Sequence, residues 1–91
     1  MTETQRRLAR HALGFPNKKN ESYRNGFCAG TGHDDYLEWR KMVEEGYAKE
    51  FLGNELTGGD SLFVLTLKGG LEARDEKEHL SREEAEKMRP L

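Results

Sequence analysis

The sequence has a single cysteine and no long hydrophobic run. Cys28 has no second cysteine to pair with, which excludes an internal disulfide framework and is typical of a protein in a reducing compartment. No apolar stretch approaches the roughly 18 residues that a membrane-spanning helix needs. The first ten residues also lack the apolar segment of a signal peptide. These absences predict a soluble cytoplasmic protein that does not contact a membrane.

Apolar residues are scarce in general. Only 34% of the 91 residues are hydrophobic, whereas 35% are charged. A chain of this length suits one domain, but this composition allows only a small core. The last segment is particularly rich in charge, so we expect a folded part over residues 1–72 and a charged, partly helical or frayed tail over 73–91.

Charge is unevenly distributed along the chain. Residues 1–30 carry six basic and two acidic side chains, residues 31–60 carry three and eight, and residues 61–91 carry six and seven. Such an asymmetry can mark two surfaces, one for an acidic partner and one for a basic partner. Alternatively, folding interleaves the opposite charges and neither surface exists.

The clearest helix signal lies at the N-terminus. Thr2 and Gln5 have the spacing of a capping box, and an apolar stripe at helical spacing follows them. Gly14 is suited to the C-terminal end of a helix. The pattern predicts a helix over residues 3–13.

A second strong helix signal covers residues 33–46. Tyr36, Trp39 and Val43 recur at helical spacing, and Gly46 ends the pattern. We expect Trp39 in the core. Between the two helices, residues 16–32 predict a short helix flanked by loops, with Asn20 as its cap.

The segment "GNELTGGDS" raises the question of a phosphate-binding loop. Such loops need a helix directly behind their backbone amides, but apolar strand-like runs flank this one on both sides. The pattern therefore predicts a hairpin with strands near 47–52 and 61–67 and a loop over 53–60. Both faces of the second strand carry apolar residues. Ser81 and Glu84 form another capping-box pattern, which predicts a short helix over 82–88.

This element order resembles that of winged-helix proteins. Helices ending in "MVEEGYAKE" followed by a hairpin ending in "LTLKG" are similar to the third helix and wing of that family. The resemblance implies an α+β fold with two or three N-terminal helices, a two-stranded antiparallel hairpin and a charged helical tail. It also implies binding to duplex DNA. However, the matching helix carries more acidic than basic residues, which argues against contact with phosphates in the major groove.

Four segments resemble short uncharacterised proteins of bacteriophages and prophages. They are "RHALG", "SYRNGF", "GTGHDDY" and "NELTGGDSLFVLTLKG", which lie within residues 10–70. The resemblance implies an origin and not a mechanism. It suggests an accessory protein that binds a host factor.

No combination of residues predicts catalysis, a metal site or a cofactor. Cys28 lacks a local nucleophile signature and is expected to be a small buried hydrophobe. His33, Asp34 and Asp35 are adjacent on a helix start and point in different directions, so helix capping is the preferred interpretation. Glu44 and Glu45 lie on different sides of a helix and do not form an acid–base pair. We therefore predict that the protein is not an enzyme.

Two charged sets are the candidate binding residues. The acidic set on the second main helix is predicted to contact a basic partner, and the basic set to contact nucleic acid or an acidic partner. The acidic set is Asp35, Glu38 and Glu45, and the basic set is Arg6, Arg10, Lys18, Lys19 and Arg24. The predicted partner is a host protein or nucleoprotein complex, with the chain a monomer or small homo-oligomer. The preferred hypothesis is a phage-derived inhibitor of a host complex, such as an anti-CRISPR protein, and the alternative is a winged-helix DNA-binding regulator.

Overall fold

A computed structural model describes residues 1–53 and 58–88 of the chain. Within these residues the fold is α+β, as predicted, with four helices and three strands. The elements in chain order are α1 (Glu3–Leu13), β1 (Phe27–Ala29), α2 (Tyr36–Glu44), β2 (Ala48–Phe51), β3 (Ser61–Leu65), α3 (Leu67–Ala73) and α4 (Arg82–Met88).

Local sequence signals define α1, and its predicted bounds are confirmed. The Thr2 hydroxyl accepts a hydrogen bond from the Gln5 backbone, and the Gln5 side chain accepts one from the Thr2 backbone, so both halves of the capping box form. Gly14 ends the helix with a φ of 90°, in the left-handed region that favours glycine. The apolar stripe on the inner face of α1 is buried: Leu8, Ala9, Ala12 and Leu13.

The three strands form an antiparallel sheet in the order β1-β3-β2. The predicted hairpin is confirmed by the pairing of β2 with β3, although residues 54–57 of its loop lie outside the described residues. The short helix predicted within residues 16–32 is wrong. Residues 27–29 form β1 instead, because they pair with β3 and bury Ala29 against the core.

The core lies between the inner face of the sheet and helices α1 and α2. Trp39 is fully buried, as predicted, and its ring stacks on that of Phe63 with the centroids 5.5 Å apart. Phe27, which pairs with Phe63 across β1 and β3, lies beside it with its ring centroid 5.4 Å from that of Trp39. Met42 completes the buried face of α2, whereas Tyr36 and Val43 are only partly buried.

Helix α3 was not predicted by the sequence, since Gly69 and Gly70 are poor helix formers. Its start is capped by the Thr66 hydroxyl, which accepts a hydrogen bond from the Gly69 backbone at 3.1 Å. Gly69 lies against the backbone of Tyr47, where an added Cβ would come within 2.1 Å of the carbonyl oxygen. Tertiary packing therefore requires the glycine that local propensity disfavours.

The C-terminal segment contacts the rest of the chain through its backbone and through helix α4. The backbone of His79 forms a parallel bridge with Glu21, in which the Ser22 amide donates to the His79 carbonyl at 3.0 Å. Helix α4 has the predicted bounds, and its Met88 side chain is buried in the core. The predicted division of the chain at residue 72 stays a prediction.

Residues 1–53 and 58–88 contain no helix that could span a membrane. None of the helices there combines the length and the apolar character that crossing a bilayer requires.

Candidate interaction surfaces

The predicted basic set does not form one free patch. Arg10 is held in the interior, where its guanidinium donates to both carboxylate oxygens of Glu78 and to the Ala73 carbonyl at 3.0 Å. The side chain of Arg10 is 13% exposed and that of Glu78 is 1% exposed. The hydrogen bond to Glu78 raises the pKa of Arg10, and the same bond lowers the pKa of Glu78. Arg10 is therefore a structural residue that attaches the C-terminal segment to α1.

The other members of the basic set have separate environments. Arg6 pairs with Asp75 on the surface beside Arg10. Arg24 donates two hydrogen bonds to the His11 carbonyl, at 3.1 and 2.6 Å, and stacks over Tyr23. Lys18 and Lys19 are exposed in the turn after α1.

A groove of about 570 Å³ runs along α1. Arg6 and Arg10 line it, but Lys18, Lys19 and Arg24 do not; the lining residues are Glu3, Thr4, Arg6, Arg7, Arg10, His11, Phe15 and Pro16. Arg7, which the predicted set omitted, is exposed and forms no ion pair with any residue in the described ranges. Because Asp75 and Glu78 neutralise the other two arginines, the groove is not a continuous phosphate-binding surface.

The three residues of the predicted acidic set also differ from one another. Asp35 precedes the first residue of α2 and its side chain makes no capping hydrogen bond; instead its backbone amide donates to His33 Nδ1 at 3.0 Å. Glu38 lies 3.6 Å from the Lys41 ammonium. Glu45 is exposed, yet its carboxylate accepts a hydrogen bond at 3.0 Å from the buried amide of Gln5.

The exposed side of α2 forms a more extended acidic surface than the predicted set. We call it the α2 outward face, and it comprises Leu37, Glu38, Lys41, Glu44 and Glu45, which recur at i, i+1, i+4, i+7 and i+8. Glu44 and Glu45, which the sequence assigned to different sides of the helix, are both exposed on this face. It carries three carboxylates and one ammonium around a leucine whose side chain is 71% exposed. Leu37 and Glu44 were not in the predicted set, although their seven-residue spacing indicates that they lie on one side of α2.

An ion pair between a partly exposed arginine and a buried glutamate links α2 to the sheet. Arg40 on α2 binds the carboxylate of Glu50 on β2, whose side chain is 8% exposed. The Ser61 hydroxyl and then the Arg40 guanidinium lower the pKa of Glu50, so the carboxylate stays charged at neutral pH. The α2 outward face is therefore presented by a helix whose position the core determines.

Candidate chemical groups are not brought together. Residues 1–53 and 58–88 contain no cluster of three histidine, cysteine or carboxylate side chains that could hold a metal ion. Cys28 was expected to be buried, and this is wrong: it is exposed, because Phe27 and Ala29 on either side of it point to the core and strand alternation turns it outward.

Comparison with known proteins gave no match to any family model, curated protein or solved structure.

Proposed function

We propose that the protein works stoichiometrically, as a small binding protein that occupies a surface of a host macromolecular complex. The observation that carries this proposal is the α2 outward face, where an exposed leucine is surrounded by carboxylates. Protein interfaces combine an apolar centre with a polar, solvent-accessible rim, and this surface has that arrangement on a small scale. The chemistry of this surface fits a partner that is lined by arginine and lysine and has room for one aliphatic side chain.

In the most specific form of this proposal, the partner is a nucleic-acid-based defence complex. The protein is then an anti-CRISPR-type inhibitor encoded by a phage. The resemblance of four segments to phage and prophage proteins supports this origin. A channel that binds nucleic acid is rich in arginine and lysine, and an acidic surface would compete with the phosphates for it. Charge complementarity would raise the association rate and select the partner.

The test is affinity purification of the tagged protein from its bacterial host, with and without nuclease. A variant with Leu37→Ser, Glu38→Lys and Glu44→Lys should lose the partner and stay folded. Glu45 and Asp35 are left unchanged, because Glu45 accepts a hydrogen bond from buried Gln5 and Asp35 lies at the start of α2.

A matched control removes another exposed leucine and reverses two exposed glutamates elsewhere. This control is Leu71→Ser, Glu21→Lys and Glu76→Lys, which gives the same change in charge. It should retain the partner. If the first variant co-purifies its partner as well as the control does, the α2 outward face is only a solvated surface.

The alternative function is a winged-helix regulator that binds duplex DNA. The hairpin after α2 and the third strand paired to β3 favour it. Against it, a single helix lies between β1 and β2, and the carboxylates on that helix would be repelled by phosphates. We expect duplex binding to be weak and to disappear at physiological salt. A gel shift that shows tight, sequence-specific binding under those conditions would favour the regulator.

A further inference from the structure

We propose that a second copy of this chain binds to the outer face of the sheet, so that the protein forms a weak symmetric dimer. This surface does not include the α2 outward face, and the inference does not depend on the proposed function. The pairing register of the three strands shows which residues lie on this outer face.

One apolar row crosses all three strands on the outer side. Cys28 on β1 pairs with Leu62 on β3, and Leu62 pairs with Phe51 on β2. Directly paired residues in an antiparallel sheet project from the same face. Val64, two residues after Leu62, lies on this face as well. We call these four residues the outer sheet patch.

The outer sheet patch is only partly covered. Phe51 is 54% exposed and Cys28 is exposed, while Leu62 and Val64 are half-buried. On the opposite face, the paired row contains fully buried Phe63. The chain has as many charged as hydrophobic residues, so a strand that faces only solvent would be expected to carry polar side chains at these positions. Because these apolar side chains are grouped and not scattered, we treat them as one candidate contact surface.

The charges at the two ends of the patch are opposite, and they identify the occupant as a second copy. Lys49 pairs in register with Val64 at one end. Asp60 lies two residues before Leu62 at the other end, and its carboxylate rests over Gly30, where an added Cβ would come within 2.3 Å of Asp60 Oδ1. Neither Lys49 nor Asp60 has an ion-pair partner in the part of the chain that the structure describes.

A two-fold axis along the apolar row makes this surface complementary to itself. The axis runs perpendicular to the strands, so Leu62 and Phe51 each face their own counterparts, and the Lys49 end of one copy meets the Asp60 end of the other. Both charge contacts form at once, as an isologous interface requires. Two sheets packed this way lie about 10 Å apart.

The size of the patch predicts a weak dimer. Three strands about 4.8 Å apart and about five residues of about 3.3 Å give a footprint of roughly 240 Å². Stable interfaces bury about 800 Å² on each partner. Association should therefore depend on concentration.

The test is sedimentation equilibrium of the full chain over a wide range of concentrations. The average mass should rise from 10.5 kDa toward twice that value. Phe51→Glu should weaken association at least tenfold, whereas Leu71→Glu, which alters an exposed leucine on α3, should not. Circular dichroism of both variants should match the wild type.

A charge exchange tests the symmetry. Lys49→Glu and Asp60→Lys should each weaken association, because each places like charges together at both ends. The double variant should restore it. A short bis-maleimide should also link Cys28 to Cys28 of the second copy in the wild type and not in Phe51→Glu.

Three results would overturn the inference: a mass of 10.5 kDa at every concentration, a dimer that Phe51→Glu leaves intact, or single charge variants that associate like the wild type. A monomer that loses a co-purified protein when Phe51 is changed would instead assign this face to a different partner.

Discussion

The buried pair of Arg10 and Glu78 offers the most direct test of how the C-terminal segment is attached. Glu78→Gln preserves the size of the side chain and one oxygen acceptor, but it removes the negative charge. Arg10 would then remain in the interior with a single acceptor at this position and the Ala73 carbonyl, which lies 3.0 Å away. The variant therefore removes the charge and one of the two acceptor oxygens while keeping the shape of the side chain.

The expected loss follows from the burial of both groups. The Glu78 carboxylate accepts from Arg10 Nη2 at 2.8 Å and from the Asp75 amide at 2.7 Å, and its side chain is 1% exposed. Removing one partner of a buried pair typically costs 3–5 kcal/mol, because the other charge stays uncompensated. Since glutamine retains an acceptor, we expect about 3 kcal/mol. A small domain has a free energy of unfolding of only about 5–15 kcal/mol, so this is a large fraction.

Urea unfolding followed by far-ultraviolet circular dichroism measures this loss. Arg10→Met should be at least as destabilising, because it leaves the carboxylate uncompensated. The double variant Arg10→Met/Glu78→Leu should be more stable than either single variant, since it removes both charges from the interior. As a surface control, Arg6→Met should cost less than about 1 kcal/mol, because Arg6 and Asp75 are 40% and 47% exposed. If Glu78→Gln unfolds at the wild-type urea concentration, the pair does not hold the segment in place.

Three further predictions concern packing and pH. Trp39→Ala should cost about 3–5 kcal/mol, because the ring is fully buried against Phe63, and a thermal melting curve like that of the wild type would contradict this. Gly69→Ala should lower the melting temperature, because its Cβ would meet the Tyr47 carbonyl. Gly32→Ala is the control and should melt like the wild type, because no atom lies within 4 Å of its Cβ. Equal melting temperatures for the two variants would refute the close approach of Gly69 to Tyr47. The pKa of Glu78 is lowered in the folded state, mainly by the hydrogen bond from Arg10, so its contribution to the free energy of unfolding is complete above its unfolded pKa and is lost as the pH falls through the lower folded value. The difference in urea midpoint between wild type and Glu78→Gln should therefore shrink on acidification, and a constant difference would be inconsistent with that shift.

The elements that the sequence predicts correctly are those whose structural signal is local. The bounds of α1 follow from a capping box, a stripe and a terminal glycine that all act within a few residues of one another. The burial of Trp39 follows from helical spacing alone, and the hairpin follows from two apolar runs on either side of a glycine-rich loop. Each of these features depends on short-range backbone geometry, which the residue types themselves determine.

Features that depend on distant pairing could not be predicted in the same way. Residues 27–29 are a strand because β3, more than thirty positions later, supplies their hydrogen-bond partners. That pairing also turns Cys28 outward. Helix α3 forms despite two glycines. Gly69 packs so closely against the Tyr47 backbone that a side chain would not fit there.

The candidate surfaces show the same division most clearly. The sequence by itself determined that basic residues concentrate near the N-terminus and acidic residues near the middle of the chain. Only the tertiary structure decided that Arg10 is neutralised by Glu78 from the C-terminal segment, and that Leu37 and Glu44 lie together on the exposed side of α2. The reason is physical: a sequence fixes which charges exist, but the energy of a charge depends on its neighbours and its burial, and both are set by folding.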